Sequence, residues 1–207
     1  MPTKNLDKYS QVKPSIAFPS KKNRRQMFCE SRVEVGRLLE LEFDPTVKRY
    51  LTQPDSYSYT RDGKQRRYTP DILCQGTDGT FWFEEVKSWK GANDQSFLEK
   101  HQFLTELFAD VIGHPLRLRI SETPYNCAWR GNLQFLYRYL DHSFSHASYR
   151  VMMGIRHPET VRSILQMSSP EQISMQSIFA GLAQGLLSFD RFKKVNLYTN
   201  VWGADHE

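Results

Sequence analysis

The stretch Tyr68 to Trp89, YTPDILCQGTDGTFWFEEVKSW, decides how this chain is read. It holds Pro70-Asp71, a turn at Asp78-Gly79, and an aromatic run closing on Glu85-Val86-Lys87. An Asp-Gly pair between runs of strand-forming residues is a strong hairpin signal, so two strands fold back on each other here. Side chains alternate across a strand, which puts Glu85 and Lys87 on one face and Glu84 on the other. The hairpin brings Asp71 alongside them. Two carboxylates with the Val86 backbone carbonyl suit a hard divalent ion, Mg²⁺ or in its place Mn²⁺. A neighbouring lysine favours hydroxide formation or stabilises charge building on a phosphate. These are the parts of metal-assisted phosphodiester hydrolysis. The same residue types also form weak surface ion pairs, so the short pattern is not specific by itself.

Upstream, SYSYT leads through Asp62-Gly63 into RRYTPDILC, giving with TFWFEEVK a three-strand antiparallel meander. VKRYLTQP before it reads as a strand stopped by Pro54. A helix starts at Ser31, carries Val35, Leu38, Leu39 and Leu41 as an apolar arc, and ends near Asp44-Pro45. Downstream, a helix runs from about Gln95 to Ile112, with Leu104, Leu107, Phe108 and Val111 at helical spacing. Gly113-His114-Pro115 stops it, and Leu116 to Ile120 is an alternating strand. Strand, crossover helix and strand predict a parallel pair with a right-handed connection. Further helical sequence, including NLQFLYRYLDHSF, closes this unit before about Arg150.

The flanks differ from this centre. Residues 1–27 are polar and basic, and read as an extended arm before a catalytic unit at 28–150. Residues 151–207 read as a separate module: a short helix from His157, a second capped by Ser169 with Pro170 and Gln172, the apolar IFAGLAQGLLSFD, and a terminal hairpin in KKVNLYTNVWG. Helices followed by a two-stranded wing predict a winged helix. The fold class is α/β: a mixed sheet flanked by helices, with a small winged-helix domain after it.

The composition fits a packed protein of 207 residues, 39% hydrophobic and 13% aromatic, with a net charge of +5. That excess is modest, but Lys21, Lys22, Arg24, Arg25 and Arg66, Arg67 concentrate it. These are candidate contacts to DNA phosphates, with a solvated face as the plain alternative. Three widely spaced cysteines give neither a disulfide framework nor a zinc spacing. With no apolar run of membrane-spanning length, the expectation is a soluble cytoplasmic protein with no membrane partner. The six histidines are scattered, and surface or core roles are expected for them. Phe81 and Trp82 read as packing residues.

Pro70-Asp71 and Glu85-Val86-Lys87 within this element order resemble the restriction-endonuclease-like, or PD-(D/E)xK, nuclease fold. More narrowly, SRVEVGRLLELEFDPTVKRYLTQP followed by YTPDILC and FEEVKSW is similar to the TnsA family. Its members are endonuclease subunits of heteromeric cut-and-paste transposons, some of them CRISPR-associated. Matching positions imply Glu34, Asp71, Glu85 and Lys87 as catalytic residues, with Asp71, Glu85, Glu34 and the Val86 carbonyl toward the metal. Some family members carry glutamine where Glu85 stands. The resemblance implies Mg²⁺-dependent cleavage of the 5′, non-transferred strands at the transposon ends in double-stranded DNA. It also implies a bacterial setting, a TnsB transposase partner that cuts the 3′ ends, and a TnsC AAA+ regulator docked on the C-terminal domain. A stand-alone restriction or repair nuclease of the same fold and a non-catalytic DNA-binding adaptor are the alternatives.

Glu34 has two readings from the residues alone. Ser31-Arg32-Val33-Glu34 is a capping box, worth about 1 kcal/mol to the helix. Glu34 also falls between Leu38 and Leu41 on the apolar arc, where a carboxylate is costly unless paired or metal-bound. Glu42 intrudes on the same arc. The family resemblance selects Glu34.

Overall fold

A computed structural model describes residues 15–121 and 127–204. The chain is mixed α/β. Its central sheet has four strands in the order β3-β6-β7-β8, formed by β3 (Val47–Thr52), β6 (Ile72–Gly76), β7 (Phe81–Ser88) and β8 (Leu116–Ser121). β3 and β7 pair antiparallel with β6 on either side, and β8 joins β7 in parallel. The parallel pair is connected through α2 (Trp89–Ala92) and α3 (Gln95–Leu107), as the alternation of strand and helix patterns predicts.

Each face of this sheet builds a core. α1 (Arg32–Phe43) lays Leu38 and Leu41 against Val47, Tyr50, Ile72, Cys74, Trp82 and Val86. The other face carries Phe83 and Leu116 under Leu104 and Phe108 of the α3 segment. After Leu107 the helix widens into a single π turn, Phe108–Ile112. That extra residue per turn shifts the phase: Phe108 stays in the core, whereas Val111 points to solvent. Gly113 then ends the helix in the left-handed conformation, at φ 75°.

The predicted meander divides into two sheets. β4 (Tyr57–Arg61) and β5 (Lys64–Tyr68) form their own ribbon around the Asp62-Gly63 turn, whose φ values of 53° and 70° suit a two-residue hairpin loop. β5 does not run on into β6, because Pro70 lacks an N–H for a ladder and holds Thr69 extended. The ribbon instead packs Tyr57, Tyr59 and Tyr68 onto the aromatic core.

The part of the basic segment that is described is not an extended arm. β1 (Ile16–Ser20) and β2 (Arg25–Cys29) make a hairpin that sends Phe18, Met27 and Cys29 into the first core. Glu42 holds its turn: the carboxylate accepts from Ser20 Oγ at 2.6 Å, Tyr50 OH at 2.5 Å, and the backbone N–H groups of Lys21 and Lys22 at 3.1 and 2.9 Å. The second polar residue on the α1 arc is therefore explained by structure. Residues 1–14 of the expected arm lie outside the described residues.

α4 (Ala128–Leu136) joins this unit to the next, with Leu133 in the first core and Leu136 in the second. α5 (His146–Met153), β9 (Glu159–Thr160), α6 (Val161–Met167), α7 (Met175–Ala183), β10 (Leu187–Phe189) and β11 (Asn200–Gly203) follow. Their three strands pair in the order β10-β11-β9. The packing of this unit thus begins before residue 151, drawing on Leu136, Leu140 and Phe144. Two local expectations shift. Pro158-Glu159 enters β9 rather than a helix, with Thr160 capping α6. The Ser169–Gln172 box closes a turn, its Gln172 Oε1 accepting from Ser169 N at 2.9 Å, and Ser174 caps the next helix instead. Among the described residues no helix is long and apolar enough to cross a membrane.

α1 and α4 cross closely at Gly36. A Cβ there would lie 2.6 Å from the guanidinium carbon of Arg130, itself buried at 5% exposure. Gly36→Ala is expected to lower stability by about 1 kcal/mol, because the guanidinium is the far end of a long side chain that can shift toward the small cavity it lines with Arg37 and Glu40. Chemical denaturation of the two proteins measures it.

Candidate active site

Asp71 ends the cross-connection just before β6, and its position is set from both sides. Its carbonyl accepts from Gln53 N at 2.8 Å, at the end of β3 where Gln53 adopts φ 44°. Its Oδ2 accepts from Val86 N at 2.7 Å. Asp71 and the EVK segment are therefore tied by a direct hydrogen bond across the Asp78-Gly79 hairpin.

Glu85 is buried on β7 with both carboxylate oxygens engaged. Oε1 meets Lys87 Nζ at 2.6 Å, and Oε2 accepts from Tyr68 OH at 2.5 Å. Lys87 Nζ also lies 5.3 Å above the Phe97 ring of α3. Glu84, on the opposite face, belongs to the first core. The strand alternation expected from the sequence is thus what the structure has.

Glu34 forms the capping box that the sequence predicts, and it is buried. Its backbone N–H donates to Ser31 Oγ at 3.2 Å, and its carboxylate accepts from Ser31 Oγ at 2.6 Å and Glu30 N at 3.0 Å. Its charge reaches Asp71. Burial first, and then the neighbouring Glu85 charge, push the Asp71 carboxyl up to about 7; Glu34 adds to this, while Val86 N–H and Lys87 oppose it. Three carboxylates share the site with one ammonium group.

That charge balance fits a divalent cation. A carboxyl that keeps its proton near neutrality is one whose ionisation awaits a positive charge. Among the described residues no three His, Cys, Asp or Glu side chains form a metal-holding cluster as they stand. Mg²⁺ does not require one, because it takes one or two carboxylates and retains several waters. Asp71 and Glu85 would hold it, with the Val86 carbonyl as a further oxygen donor; Glu34, bound to Ser31 and Glu30 N–H, acts on the site through its charge.

The candidate phosphate contacts separate into two groups. Lys22 Nζ donates to the carbonyls of Asp44 and Val47 at 2.6 and 2.7 Å, and burial lowers its pKa. Lys21 Nζ bonds the Arg138 carbonyl at 3.2 Å and Asp141 at 3.2 Å. These two lysines fasten the hairpin to the body. Arg24, Arg25, Arg66 and Arg67 are exposed. Arg25 joins Lys48 and Arg49 along a groove of about 600 Å³ floored by Leu51, Leu73 and Phe81. Strand register puts Leu73 and Phe81 on the same sheet face as Glu85.

Sequence reading missed Tyr68, Phe97, Lys48 and Arg49 as parts of this region. Tyr68 was adjacent to the motif, but its bond to Glu85 depends on the ribbon folding over the sheet. Trp82 is buried as expected, donating from Nε1 to Glu84 Oε1 at 3.0 Å. No protein-family model and no curated protein matches the chain.

Proposed function

We propose that the protein is a Mg²⁺-dependent DNA endonuclease of the PD-(D/E)xK type, acting as the TnsA-like subunit of a transposase. The observation that carries this is the convergence of Asp71, Glu85 and Lys87 from two turn-linked strands, with the Asp71 carboxyl held up to about 7 by burial and by Glu85. A surface ion pair has no reason to include a second, desolvated carboxylate. The bound cation would supply charge neutralisation at the scissile phosphate and a more acidic water. Lys87, steered by Glu85 and Phe97, stabilises the charge that builds on the phosphoryl oxygens. Tyr68 keeps the Glu85 carboxylate in its orientation, and Asp71 is fixed by Val86 N–H. Glu34 closes the site from the helix end.

The proposed substrate is double-stranded DNA at the transposon ends, cut on the 5′ strands. Arg66 and Arg67 lie on the strand that ends in Tyr68, and Arg25, Lys48 and Arg49 line a groove over Leu51, Leu73 and Phe81. Replacing Arg25, Lys48 and Arg49 by glutamine is expected to weaken binding to any duplex. The slope of log K against log salt should fall by roughly one per lost phosphate contact, as salt-titrated binding assays read.

The winged-helix assignment is supported by the order α5, β9, α6, α7, β10, β11, with the first strand pairing the last. The connection between β10 and β11 exposes Phe192 (77%) and Tyr198 (69%) beside Arg191, Lys193 and Lys194. Such a surface suits docking of a regulator such as TnsC. The test is strand-specific cleavage of an end-labelled transposon end in Mg²⁺, with and without TnsB and TnsC. A 5′-strand cut requiring the partners supports the proposal. Cutting by the protein alone moves it to the stand-alone nucleases, and no 5′ cut beside normal 3′ cutting by TnsB makes it an adaptor.

A further inference from the structure

α3 and the π turn after it present Phe97, His101, Leu104 and Phe108 along one flank. Leu104 and Phe108 are in the aromatic core; Phe97 and His101 meet at its polar edge, ring centroids 5.5 Å apart. Phe97 lies under Lys87 Nζ and links the imidazole to the Lys87–Glu85 pair, whose two charges both act on it. Its protonation pattern follows from one neighbour. Thr105 Oγ1 has a single proton and donates it to the His101 carbonyl at 2.9 Å. Toward Nδ1, 3.3 Å away, it can therefore only accept, which puts the ring proton on Nδ1. Nε2 is left as a bare lone pair.

That Nε2 is buried and has no hydrogen-bond partner among the described residues. A buried acceptor without a donor costs about 1–3 kcal/mol, so it marks a place meant for something else. Tyr68 gives its one proton to Glu85 Oε2, and Lys87 Nζ, held at Glu85 Oε1, makes no hydrogen bond to Nε2. A phosphodiester offers acceptors only, and Mg²⁺ prefers oxygen to imidazole. Water is the donor that remains. We propose that His101 is a further catalytic residue, whose Nε2 accepts a hydrogen bond from the water that attacks the phosphodiester. This rests on the hydrolytic reading above.

The test compares wild type, His101→Ala, His101→Gln and Lys87→Ala in the reconstituted cleavage reaction. His101→Ala should lower kcat by about a hundredfold at nearly unchanged KM, the usual scale for a misplaced nucleophile. His101→Gln, whose amide oxygen also accepts, should recover about tenfold of that. His101→Ala cutting like wild type beside an inactive Lys87→Ala overturns the inference and leaves the nuclease reading standing. So does His101→Gln no better than alanine. A wild type that never cuts removes both. Independently of cleavage, the ¹⁵N imidazole spectrum of the metal-free protein should show the proton on Nδ1 and a free Nε2. A proton on Nε2 overturns the inference directly.

Discussion

Asp71→Asn and Lys87→Ala are each expected to lose strand cleavage by about a thousandfold or more, yet to leave a folded protein. The two losses have different origins. Lys87→Ala removes the cation placed 2.6 Å from Glu85, which in the proposed mechanism stabilises developing phosphate charge. Asp71→Asn keeps an oxygen for the Val86 N–H bond but removes a charge that the proposed metal site needs. Its effect on stability separates this role from a structural one. The folded carboxyl titrates at about 7, above the ordinary unfolded value near 4. The folded state therefore binds the extra proton between those limits. The stabilisation is fully present below the unfolded value and is lost as pH rises through about 7.

At pH 8 the wild type pays the full cost of ionising Asp71, which asparagine avoids. Asp71→Asn should then be more stable than wild type, by about 1–3 kcal/mol, with the difference vanishing below about pH 4. Mg²⁺ should raise the wild-type melting temperature at pH 8 and leave the variant's nearly unmoved. Thermal melts at the two pH values, with and without Mg²⁺, check this. A structural ion pair predicts the reverse sign: a less stable variant and no response to Mg²⁺.

How much of this was readable beforehand depended on sequence separation. Ser31 capping α1, the Asp-Gly turns and the Glu85/Lys87 face are local, so their residues announce them. The β1–β2 hairpin was hidden because KKNRRQ looks like solvated charge. Its order comes from Glu42 and Tyr50, about 20 residues or more away, which bond the turn. The Pro70 break was visible as chemistry but underweighted, since one continuous strand accounted for the same alternation. His101 and Phe97 carry no local sign of the site. They reach it because α3 crosses the sheet, and only the helical spacing with Leu104 and Phe108 hinted at which flank would face inward.

Glu84 is expected to show the opposite balance from its neighbours. It is fully buried, at 0% exposure, yet burial's upward push on its pKa is outweighed by Arg37, Trp82 and Arg119, which hold the carboxyl below its usual range. Arg37 binds it through two nitrogens at 2.7 and 2.9 Å, and Arg119 Nε lies 3.0 Å from Oε1. Glu84→Ala leaves Arg37 with Glu40 as a carboxylate partner on one nitrogen and strips the other two of theirs, at an expected cost of about 3 kcal/mol. For a chain of this size that lowers Tm by about 10 °C. The double change Arg37→Met with Glu84→Leu should recover most of the loss, because it removes the desolvation of both charges together. Calorimetry of the single and double variants reads the coupling. Cleavage by Glu84→Ala, assayed well below its Tm, should fall far less than with Asp71→Asn. The strand then uses adjacent carboxylates for unlike purposes: Glu84 fixes β7 against α1, and that anchoring holds Glu85 and Lys87 in register on the far face.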